Sequence, residues 1–572
     1  MIPKIIHFVW IGPPMPAWAE RNVEEFRRLN PGYEVRLHGE EALLPDYRTA
    51  YAARNIPANK SDLLRYSALE RWGGWYFDCD MFPLRPLDEA VQAWRLDGRK
   101  LYLARMDRTR PINGAVLAAA ADSPAWPEIR ARIPLAAKDK DFKAVGPSLL
   151  SSLAAERPDL VEVAGKAWWY GADERWAAKL RRRVLAGDLD IVRRFDPETG
   201  GQLPFALHLW AYQHADKVAA GEGDGRPLAV LADPRRVWPT TGAANPFAGL
   251  AKGFERLGFR VETHDVSGGK GRSAVEEASD VPAVAAVWNG MKTALARDIG
   301  PAQRLGIPVL RLELGFFDRN HHYQVDHAGI LHRASWRRAV LAGAPSPPAG
   351  VPSGGEGAAK RLAAFLPRGV SPQKHRKGYV LVLGQTTGDS QLADSEIQGP
   401  LQIQKAVMRG LPAGVKAYFR PHPQTSHMRI NSRHTRLPQL PDQQNERGAY
   451  AATKQGAGLA AALAGAAFVV TINSNAMTEA LAAGVPCLAF GPSLGIDAGA
   501  VHPTSLATLR KDLAEMLGGW RAPDAAVRRY LEWLAARQWS AEELADPAVL
   551  GPLLRAAGVD IPALMVRAEA AA

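Results

Sequence analysis

Short apolar runs alternate with amphipathic stretches along most of the chain, and turn residues separate them. Runs such as IIHFVWIG near the start, LAVLAD from residue 228 and YVLVLGQ from residue 379 are shorter than a helix, which is typical of buried strands. The stretch NPFAGLAKGFERLG has apolar side chains at helical spacing and ends at Gly258. Strands that alternate with helices predict α/β domains built on parallel sheets.

Two breaks divide this pattern into three series of strands and helices. The segment GEGDGRP ends the first series, and the Pro- and Gly-rich segment GAPSPPAGVPSGGEG, which predicts a flexible connection, separates the other two. A helical pattern continues from about residue 505. The expected divisions are a first domain at 1–220, a second at 226–345, a linker at 346–375, and a third domain with C-terminal helices at 376–560.

Composition narrows the class of protein. A chain of 572 residues suits two or three domains. The net charge of +12 favours anionic ligands such as nucleotides, acidic glycans or a membrane surface, and no zinc spacing, RNP-like strand or basic helix indicates nucleic-acid binding. The cysteines are Cys79 and Cys487 alone, which fits a reducing compartment. No signal-peptide pattern or long apolar run is present. We therefore expect a cytoplasmic protein, and the positive charge adds peripheral contact with a membrane surface as a further expectation.

The stretch SDLLRYSALERWGGWYFDCD, residues 61–80, combines a helix with an aromatic strand. Ser61 is a good N-cap, and Asp62 and Arg65 at i and i+3 share one helix face. Gly73 and Gly74 end the helix. In the extended strand that follows, the side chains of Asp78 and Asp80 would point the same way, with their Cα atoms roughly 6.5–7 Å apart. Two carboxylates this close repel unless a cation lies between them or one of them is protonated. The stretch therefore predicts a metal-diphosphate site, although Asp-x-Asp alone also fits a solvated turn.

The whole stretch resembles the signature of DXD-containing glycosyltransferases, including the yeast initiating mannosyltransferase type and the catalytic domains of clostridial toxins. The resemblance implies a GT-A-like fold, a nucleotide-sugar donor and Mn²⁺ or Mg²⁺. By this resemblance Asp62 and Arg65 are catalytic residues that contact the sugar and diphosphate of the donor, and Tyr76 belongs to the donor-binding residues. Asp80 binds the metal directly, and Asp78 touches the ribose and the metal through water. The matching residues are Ser61, Asp62, Arg65, Tyr66, Gly73, Gly74, Tyr76, Asp78 and Asp80, and Trp10 after the first strand would stack on the base.

Two later segments extend this resemblance towards residue 215. The segment AVGPSLL, with Gly146 and Pro147, resembles an acceptor loop, and ALHLWAYQH resembles the closing segment of these enzymes. In the latter, His208 or Trp210 would reach the metal-diphosphate. As a single residue, His208 fits a structural role equally well.

A second set of polar residues follows predicted strands in the C-terminal half. Open α/β sheets bind ligands at the carboxyl ends of their strands, and Ser474 and Asn475 are natural N-caps whose helix would offer N–H groups to a phosphate. Taken singly, His422 also fits a structural loop and Glu479 a solvated helix position. The candidate residues are Glu313, Asp326, Gln385, Asp389, Ser390, Arg420, His422, Gln424, Ser474, Asn475 and Glu479.

This series resembles the capsule polysaccharide biosynthesis and export family of the KpsC/KpsS type, whose members are β-Kdo transferases with a GT-B-like fold. The matching pieces are LELGFF, VDHAGI, GQTTGDSQL, RPHP and TINSNAMTEAL followed by GVPCLAFG. The resemblance implies Glu313, Asp326 and Asp389 as catalytic candidates. It implies donor contacts from Arg420, His422, Ser474, Asn475 and Glu479.

Together the two resemblances imply a bifunctional glycosyltransferase of bacterial capsule or lipopolysaccharide-type synthesis. Its N-terminal module would use a UDP- or GDP-sugar with a metal, and its C-terminal module a second donor such as CMP-Kdo. The acceptor would be a glycan or lipid-linked glycan. Two alternatives stay open at this point. The C-terminal half is a glycan-binding module beside one active transferase, or the chain is a toxin-like protein glycosyltransferase.

Overall fold

The described residues form two structural units. A computed structural model describes residues 1–105, 112–139, 141, 143–170, 176–185, 189–195, 202–209, 226–235, 244–267, 273–289, 297–343, 355–366, 369–385, 389–422, 437–438 and 455–561. The first unit comprises Met1–Gly225, Ser279–Val281 and Arg304–Gly306, and the second comprises Arg226–Ala278, Pro282–Gln303 and Ile307–Ala572.

The first unit is built on a mixed six-stranded sheet of order β2-β1-β3-β6-β5-β7. Pairs β1–β2, β1–β3 and β5–β7 are parallel, whereas β6 runs antiparallel to both of its neighbours. A separate antiparallel ribbon pairs β4 with β8. The strands are β1 (Ile5–Val9), β2 (Glu34–His38), β3 (Gly74–Phe77), β4 (Met81–Pro83), β5 (Leu101–Arg105), β6 (Ile112–Ala119), β7 (Val161–Ala164) and β8 (Ala206–His208).

Helices pack against this sheet, and the helix Pro57–Trp72 (α3) is buried on several sides. Helix α3 begins at Pro57 and not at Ser61, because proline suits the first turn of a helix. It ends at Gly73, whose φ is +63°. The helices are α1 (Ala17–Leu29), α2 (Arg48–Ala52), α3 (Pro57–Trp72), α4 (Leu87–Trp94), α5 (Ala125–Ala136), α6 (Leu149–Glu156), α7 (Lys166–Trp169), α8 (Ala177–Leu185) and α9 (Asp190–Phe195).

The second unit contains two sheets. The first has the order β10-β9-β11-β12-β13-β19, and its strands are parallel from β10 to β12 and antiparallel beyond. The second is wholly parallel, with the order β15-β14-β16-β17-β18. The strands are β9 (Leu228–Asp233), β10 (Arg260–Asp265), β11 (Val284–Trp288), β12 (Val309–Leu314), β13 (His322–Asp326), β14 (Tyr379–Leu383), β15 (Ala417–Arg420), β16 (Ala466–Thr471), β17 (Cys487–Ala489), β18 (His502–Pro503) and β19 (Trp539–Ser540).

In both sheets of the second unit, the strand that comes first in the chain lies between the second and the third strands, so the strand order reverses at that point. The parallel sheet has the flavodoxin-like order 2-1-3-4-5, which places a switch point between β14 and β16. The other sheet begins in the same way, with its reversal between β9 and β11. The mixed α/β class expected from the sequence is therefore present in both units.

The helices of the second unit include one within the expected linker. Helix α14 starts at Gly355, and its Phe365 ring stacks on Phe317 at 4.2 Å between ring centroids. Residues 344–354 of that segment lie outside the described residues. The helices are α10 (Pro246–Arg256), α11 (Ala274–Glu277), α12 (Ile299–Arg304), α13 (Arg337–Leu341), α14 (Gly355–Phe365), α15 (Pro400–Gly410), α16 (Gln455–Ala464), α17 (Met477–Ala482), α18 (Leu494–Asp497), α19 (Leu509–Leu517), α20 (Asp524–Ala536), α21 (Ala541–Leu544) and α22 (Pro547–Ala556).

The segment after residue 505 contains a strand that the helical pattern did not predict. Between α20 and α21, the two-residue strand β19 pairs with β13 at the edge of the first sheet of this unit. Trp539 is fully buried there. Among the described residues, no helix has the length and apolar character needed to cross a membrane.

Candidate functional site

The two aspartates of the DXD motif lie in a turn and not in an extended strand. Strand β3 ends at Phe77, and the Met81 N–H donates to the Asp78 carbonyl at 2.9 Å. This i-to-i+3 hydrogen bond closes a β-turn. The prediction that one extended strand carries both Asp78 and Asp80 is therefore wrong, because a turn separates β3 from β4.

The ribbon of β4 and β8 brings His208 to this turn. Met81 pairs with His208 in the ribbon, and the Leu209 N–H donates to the Asp80 carbonyl at 2.8 Å. As a result, His208 Nε2 lies 3.2 Å from Asp80 Oδ1. The Tyr170 ring packs edge-on against the imidazole at 5.5 Å between centroids. Trp210, the other residue predicted to reach this site, lies outside the described residues.

Asp78, Asp80 and His208 form a group that fits a divalent cation. Each offers a ligand atom, and these atoms lie within 4.8 Å of one another. Carboxylates bind hard divalent ions such as Mg²⁺ and Mn²⁺, and an imidazole nitrogen is a further common metal ligand. Asp78 is held in place, because its Oδ1 accepts a hydrogen bond of 2.7 Å from the Tyr76 hydroxyl. The chemistry of the donor set and the fixed orientation of Asp78 both fit a metal ion.

Arg65 connects the helix to the DXD turn. Its Nη2 lies 3.2 Å from Asp62 Oδ1 and 3.3 Å from Asp78 Oδ1. The guanidinium also sits over the Tyr76 ring at 4.7 Å and donates to the Gly114 carbonyl. The predicted pair of Asp62 and Arg65 on one helix face is therefore next to the predicted metal ligands.

Burial shifts the pKa values of both Asp62 and Arg65. Only 8% of the Asp62 side chain and 6% of the Arg65 side chain are exposed. Burial raises the pKa of Asp62 to about 6, although the charge of Arg65 opposes the shift. Burial lowers the pKa of Arg65, but the nearby Asp78, Tyr76 and Asp62 outweigh it and the net shift is upward. The guanidinium therefore stays charged.

Two glycines make room for these side chains. A Cβ at Gly146 would overlap the Asp62 carboxylate, and a Cβ at Gly114 would overlap the Arg65 guanidinium. Gly146 belongs to the segment predicted as an acceptor loop, and it lies in a helical turn, Ala144–Ser148, ahead of α6. The sequence did not single out Gly114, since a glycine in a strand carries no local signal for a contact with a distant arginine.

Trp10 follows β1 at the same end of the sheet. The Cys79 thiol lies 3.5 Å from the Val9 carbonyl oxygen, which places the end of β1 beside the DXD turn. The Trp10 indole N–H donates to the Pro13 carbonyl at 2.6 Å. This hydrogen bond fixes the ring that the resemblance assigns to base stacking.

In the second unit, Glu313 lies at the carboxyl end of β12, as predicted. Its Oε2 accepts a hydrogen bond of 2.5 Å from Asn289 Nδ2. Asn289 directly follows β11 and has a φ of +58°, a conformation that asparagine tolerates better than most residues. The structure thus brings together the ends of two neighbouring parallel strands. Asn289 was missed because a single asparagine after a strand is an ordinary loop residue.

Polar side chains also meet at the switch point between β14 and β16. Gln385 Nε2 donates to Asn473 Oδ1 at 2.9 Å, and it lies 3.5 Å from Asp389 Oδ2. Asp389 Oδ1 accepts from the Gln391 N–H at 3.0 Å. Asp389 therefore lies where an open α/β sheet binds ligands, although part of its hydrogen-bonding capacity holds the local turn.

Ser474 and Asn475 precede α17 but do not cap it. The helix begins at Met477, its N-cap position is Ala476, and no side chain caps it. Ser474 Oγ instead accepts from the Ala476 N–H at 3.3 Å, and Asn475 Nδ2 donates to the Phe316 carbonyl at 3.2 Å. The predicted capping role is wrong, because an additional turn separates β16 from the helix.

Glu479 carries a buried carboxylate oxygen in the first turn of α17. Its Oε2 is shielded from solvent and has no hydrogen-bond partner among the described residues. Burial raises its pKa, and the charges of Arg319 and Arg420 oppose the shift. The carboxylate lies in the wall of a cavity of about 350 Å³ between α16 and α17. Arg420 ends β15 and His422 follows it; Gln424 lies outside the described residues.

Asp326 does not lie beside Glu313 at the strand ends. Because β13 is antiparallel to β12, Asp326 pairs with Arg311, and Glu313 pairs with Gln324. The expectation that both residues share the carboxyl edge is therefore wrong. Asp326 Oδ1 accepts from the N–H groups of Ala328, Gly329 and Ser335. Its Oδ2 accepts from the Ser335 hydroxyl at 2.7 Å and lies 3.6 Å from Arg537 Nη2. These contacts show a residue that organises the loop after β13.

His332 in that loop is a further buried polar residue that the sequence did not single out. Its Nε2 lies 2.9 Å from Asp394 Oδ2, and it lines a small cavity together with Asn473, Asn475 and Ser493. Burial lowers its pKa, and the hydrogen bond with Asp394 opposes the shift. The segment DHAGILH gave no signal for this position, since the contact depends on a residue far along the chain.

Comparison with known proteins identifies the class of the first site. Residues 19–96 match the family model described as a glycosyltransferase sugar-binding region containing a DXD motif. The N-terminal part of the chain therefore contains a DXD glycosyltransferase region, and the prediction of a glycosyltransferase enzyme is confirmed. No curated protein sequence matches the chain.

Several solved structures are similar to parts of the chain. The Thermosulfurimonas dismutans KpsC β-Kdo 2,4 transferase is 16% identical, with 54% of this chain and 90% of that chain covered and a TM-score of 0.34. The PaToxG glycosyltransferase is 17% identical over 27% of this chain and 70% of its own, with a TM-score of 0.23. The UDP-bound glycosyltransferase domain of the YGT toxin is 12% identical, with 28% of this chain and 79% of that chain covered and a TM-score of 0.23. The family model matches the DXD resemblance stated from the sequence, and the similar structures include proteins of both types named there.

Proposed function

We propose that the first unit is a GT-A-like transferase that uses a UDP- or GDP-sugar with Mn²⁺. The observation that carries this proposal is the group of Asp78, Asp80 and His208, whose ligand atoms lie within 4.8 Å of one another beside the charged Arg65. When bound, the metal would neutralise the leaving diphosphate.

The side chains around the metal group have distinct proposed roles. Arg65 is pre-oriented by Asp62, Asp78 and the Tyr76 ring, so its charge is available to a phosphate without further reorganisation. Asp62 orients Arg65 and contacts the sugar. Trp10, whose indole N–H is held by Pro13, offers its ring face to the nucleobase.

For the second unit we propose a GT-B-like pair of halves, at 226–345 and 376–560, that transfers a second sugar, with CMP-Kdo as the candidate donor. Support comes from the motif series shared with the KpsC/KpsS type and from the polar groups at the strand ends. Glu313 is the proposed catalytic carboxylate, since its position at the end of β12 is open to a ligand while Asp326 is enclosed. Asp389 is a second proposed catalytic carboxylate. The proposed donor contacts are Arg420, His422, Ser474, Asn475 and Glu479.

The proposed setting is bacterial surface polysaccharide synthesis in the cytoplasm. Both cysteines are buried free thiols, which fits a reducing compartment. Two active sites on one chain that act in turn on one glycan would benefit from a raised effective concentration of the shared acceptor. The acceptor is proposed to be a glycan or lipid-linked glycan, reached at the inner membrane or within a capsule-assembly complex.

Donor hydrolysis by the full chain tests both proposals. UDP-, GDP- and CMP-sugars are compared with and without Mn²⁺, in the wild type and in the Asp80→Asn and Glu313→Gln variants. Metal-dependent hydrolysis of a UDP- or GDP-sugar that is lost only in Asp80→Asn supports the first site. Metal-independent turnover of a CMP-sugar that is lost only in Glu313→Gln supports the second.

The outcomes also distinguish the alternatives. If the CMP-sugar is not turned over in the presence of oligosaccharide acceptors, but the chain binds acidic glycans and Glu313→Gln leaves that binding unchanged, the second unit is a binding module. If neither class of donor is turned over with any glycan acceptor, while a protein acceptor is modified, the polysaccharide proposal is wrong.

A further inference from the structure

A second group of metal-ligand side chains lies in the second unit, at the edge of its parallel sheet. His502 begins the edge strand β18, and Asp512 and Glu515 lie at i and i+3 on α19. One ligand atom from each of these residues lies within 4.8 Å of the other two. They belong to neither of the two sites described above.

The hydrogen bonds of His502 leave its Nε2 facing a carboxylate. Its Nδ1 lies 2.7 Å from the Pro503 carbonyl oxygen. A carbonyl only accepts, so Nδ1 carries the proton and donates, and in the neutral ring Nε2 presents a lone pair. That Nε2 lies 3.1 Å from Glu515 Oε2, which is also an acceptor. Two facing acceptors need a shared proton or a cation between them, and a metal-bound histidine commonly donates its other N–H to a backbone carbonyl in this way.

The neighbours of His502 and Asp512 hold both side chains in position. The Trp520 ring packs edge-on against the imidazole, with 4.8 Å between centroids. Asp512 Oδ2 accepts hydrogen bonds from the Thr504 and Thr508 hydroxyls at 2.7 and 2.6 Å. Metal-bound carboxylates are typically hydrogen-bonded in the same manner, and two hydroxyl donors leave further lone pairs of this carboxylate available.

Glu515 is the accessible member of the group. Its side chain is 42% exposed, and Lys511 Nζ lies 3.5 Å from its Oε1. The Lys511 side chain is 78% exposed, and an ion pair of this kind is weak because solvent screens it. Lys511 can therefore move away from Glu515 at little cost when a cation binds.

We propose that His502, Asp512 and Glu515 form a Zn²⁺ site that links β18 to α19. One imidazole and two carboxylates suit zinc, and the three protein ligands leave one coordination position for water. The ion would hold the edge strand of the parallel sheet against α19, in a position separate from the transfer chemistry proposed for either unit.

Zn²⁺ titration of the full chain tests this proposal. Because Asp78, Asp80 and His208 offer the same donor types, the titration uses an Asp80→Asn/His208→Gln background. The readouts are competition with a zinc-sensitive dye and the metal content after dialysis. The expected result is one Zn²⁺ per chain in this background. Adding His502→Gln or Glu515→Gln should weaken binding by about 10- to 100-fold or more.

Two controls keep the result interpretable. His321→Gln changes an exposed histidine that pairs with Asp318, and it should leave the Zn²⁺ affinity unchanged. Glu515→Gln removes a charge from a half-exposed side chain of the same size, so circular dichroism should show an intact fold. Absence of bound Zn²⁺ in the background variant, or an affinity that neither His502→Gln nor Glu515→Gln changes, overturns the proposal.

Discussion

His208 Nε2 lies 3.2 Å from Asp80 Oδ1, although the two residues are distant in sequence. The ribbon of β4 and β8 produces this contact, and the turn between β3 and β4 adds Asp78 to it. The pairing of the short strands β4 and β8 therefore assembles the group of Asp78, Asp80 and His208. Each of these three residues can be tested by its own substitution.

Replacing Asp80 by asparagine should abolish metal-dependent donor hydrolysis. The amide keeps the shape of the side chain but removes a negative charge from the metal group, so Mn²⁺ affinity should fall by at least about 100-fold. Mn²⁺ titration of the hydrolysis rate measures the change. Asp190→Asn is a matched control, since Asp190 is 70% exposed and pairs only at the surface with Arg193. Equal Mn²⁺ dependence in both variants would contradict the assignment.

Replacing Gly146 by alanine should disturb the Asp62–Arg65 pair. The added methyl group would overlap the Asp62 carboxylate, and such overpacking costs about 1–3 kcal/mol. We expect a lower melting temperature together with a loss of donor hydrolysis. Gly165→Ala is the control, because a Cβ there meets open space. Equal melting temperatures and equal rates of donor hydrolysis in the two variants would show that the close approach of Gly146 to Asp62 has no importance.

The stability of the first unit should fall as the pH drops from about 6.5 to 4. Burial lowers the pKa of His7 to about 4, and the nearby His38 and Arg36 add to the shift, whereas Glu34 and the hydrogen bond to the Gly73 carbonyl oppose it. The unfolded chain takes up this proton first, so the contribution is complete above pH 6.5. It decreases through this range by about 3 kcal/mol.

Scanning calorimetry of the wild type and of His7→Gln measures this effect. Glutamine keeps an N–H donor for the Gly73 carbonyl but does not titrate near neutral pH. The wild type should therefore lose stability on acidification faster than the variant. An equal loss of stability in both proteins between pH 7 and 4 would show that His7 does not cause the pH dependence.

Asp326→Asn should destabilise the second unit. Arg537 is buried beside Asp326, and burial lowers the pKa of Arg537 to about 10 despite the opposing charge of Asp326. Removing the counter-charge leaves a buried cation, which costs about 3–5 kcal/mol. Denaturant unfolding measures the change.

Glu313→Gln provides the comparison for Asp326→Asn. Glu313 is partly exposed at the end of β12, so the change in the free energy of unfolding should stay below about 1 kcal/mol. A stable Asp326→Asn variant that has lost donor turnover would instead make Asp326 a catalytic residue.

The sequence was informative wherever the signal is local. The strands β1, β9 and β14 and the helix α10 lie where apolar runs and helical spacing predict them, because burial periodicity follows from backbone geometry. The pair of Asp62 and Arg65 was predictable for the same reason, since residues three apart on a helix share a face. The start of α3 was misplaced, because Ser61 resembles an N-cap while Pro57 begins the helix.

Contacts between segments far apart in the chain explain most of the site residues that the sequence did not reveal or placed wrongly. Asp326 ends a strand as predicted, but hydrophobic pattern does not reveal that β13 is antiparallel, so the shared edge with Glu313 could not be foreseen. Gly114, Asn289 and His332 acquire their contacts only from distant segments of the chain.

By itself, the sequence determined the α/β class, several of the strands and helices, and the chemical types of the candidate ligands, because these depend on local periodicity and on side-chain chemistry. The tertiary structure decided which of those side chains meet. Strand direction, the turn at Asp78 and the ribbon that carries His208 depend on backbone hydrogen bonds between segments far apart in the chain, and the pattern within one segment does not specify its partner.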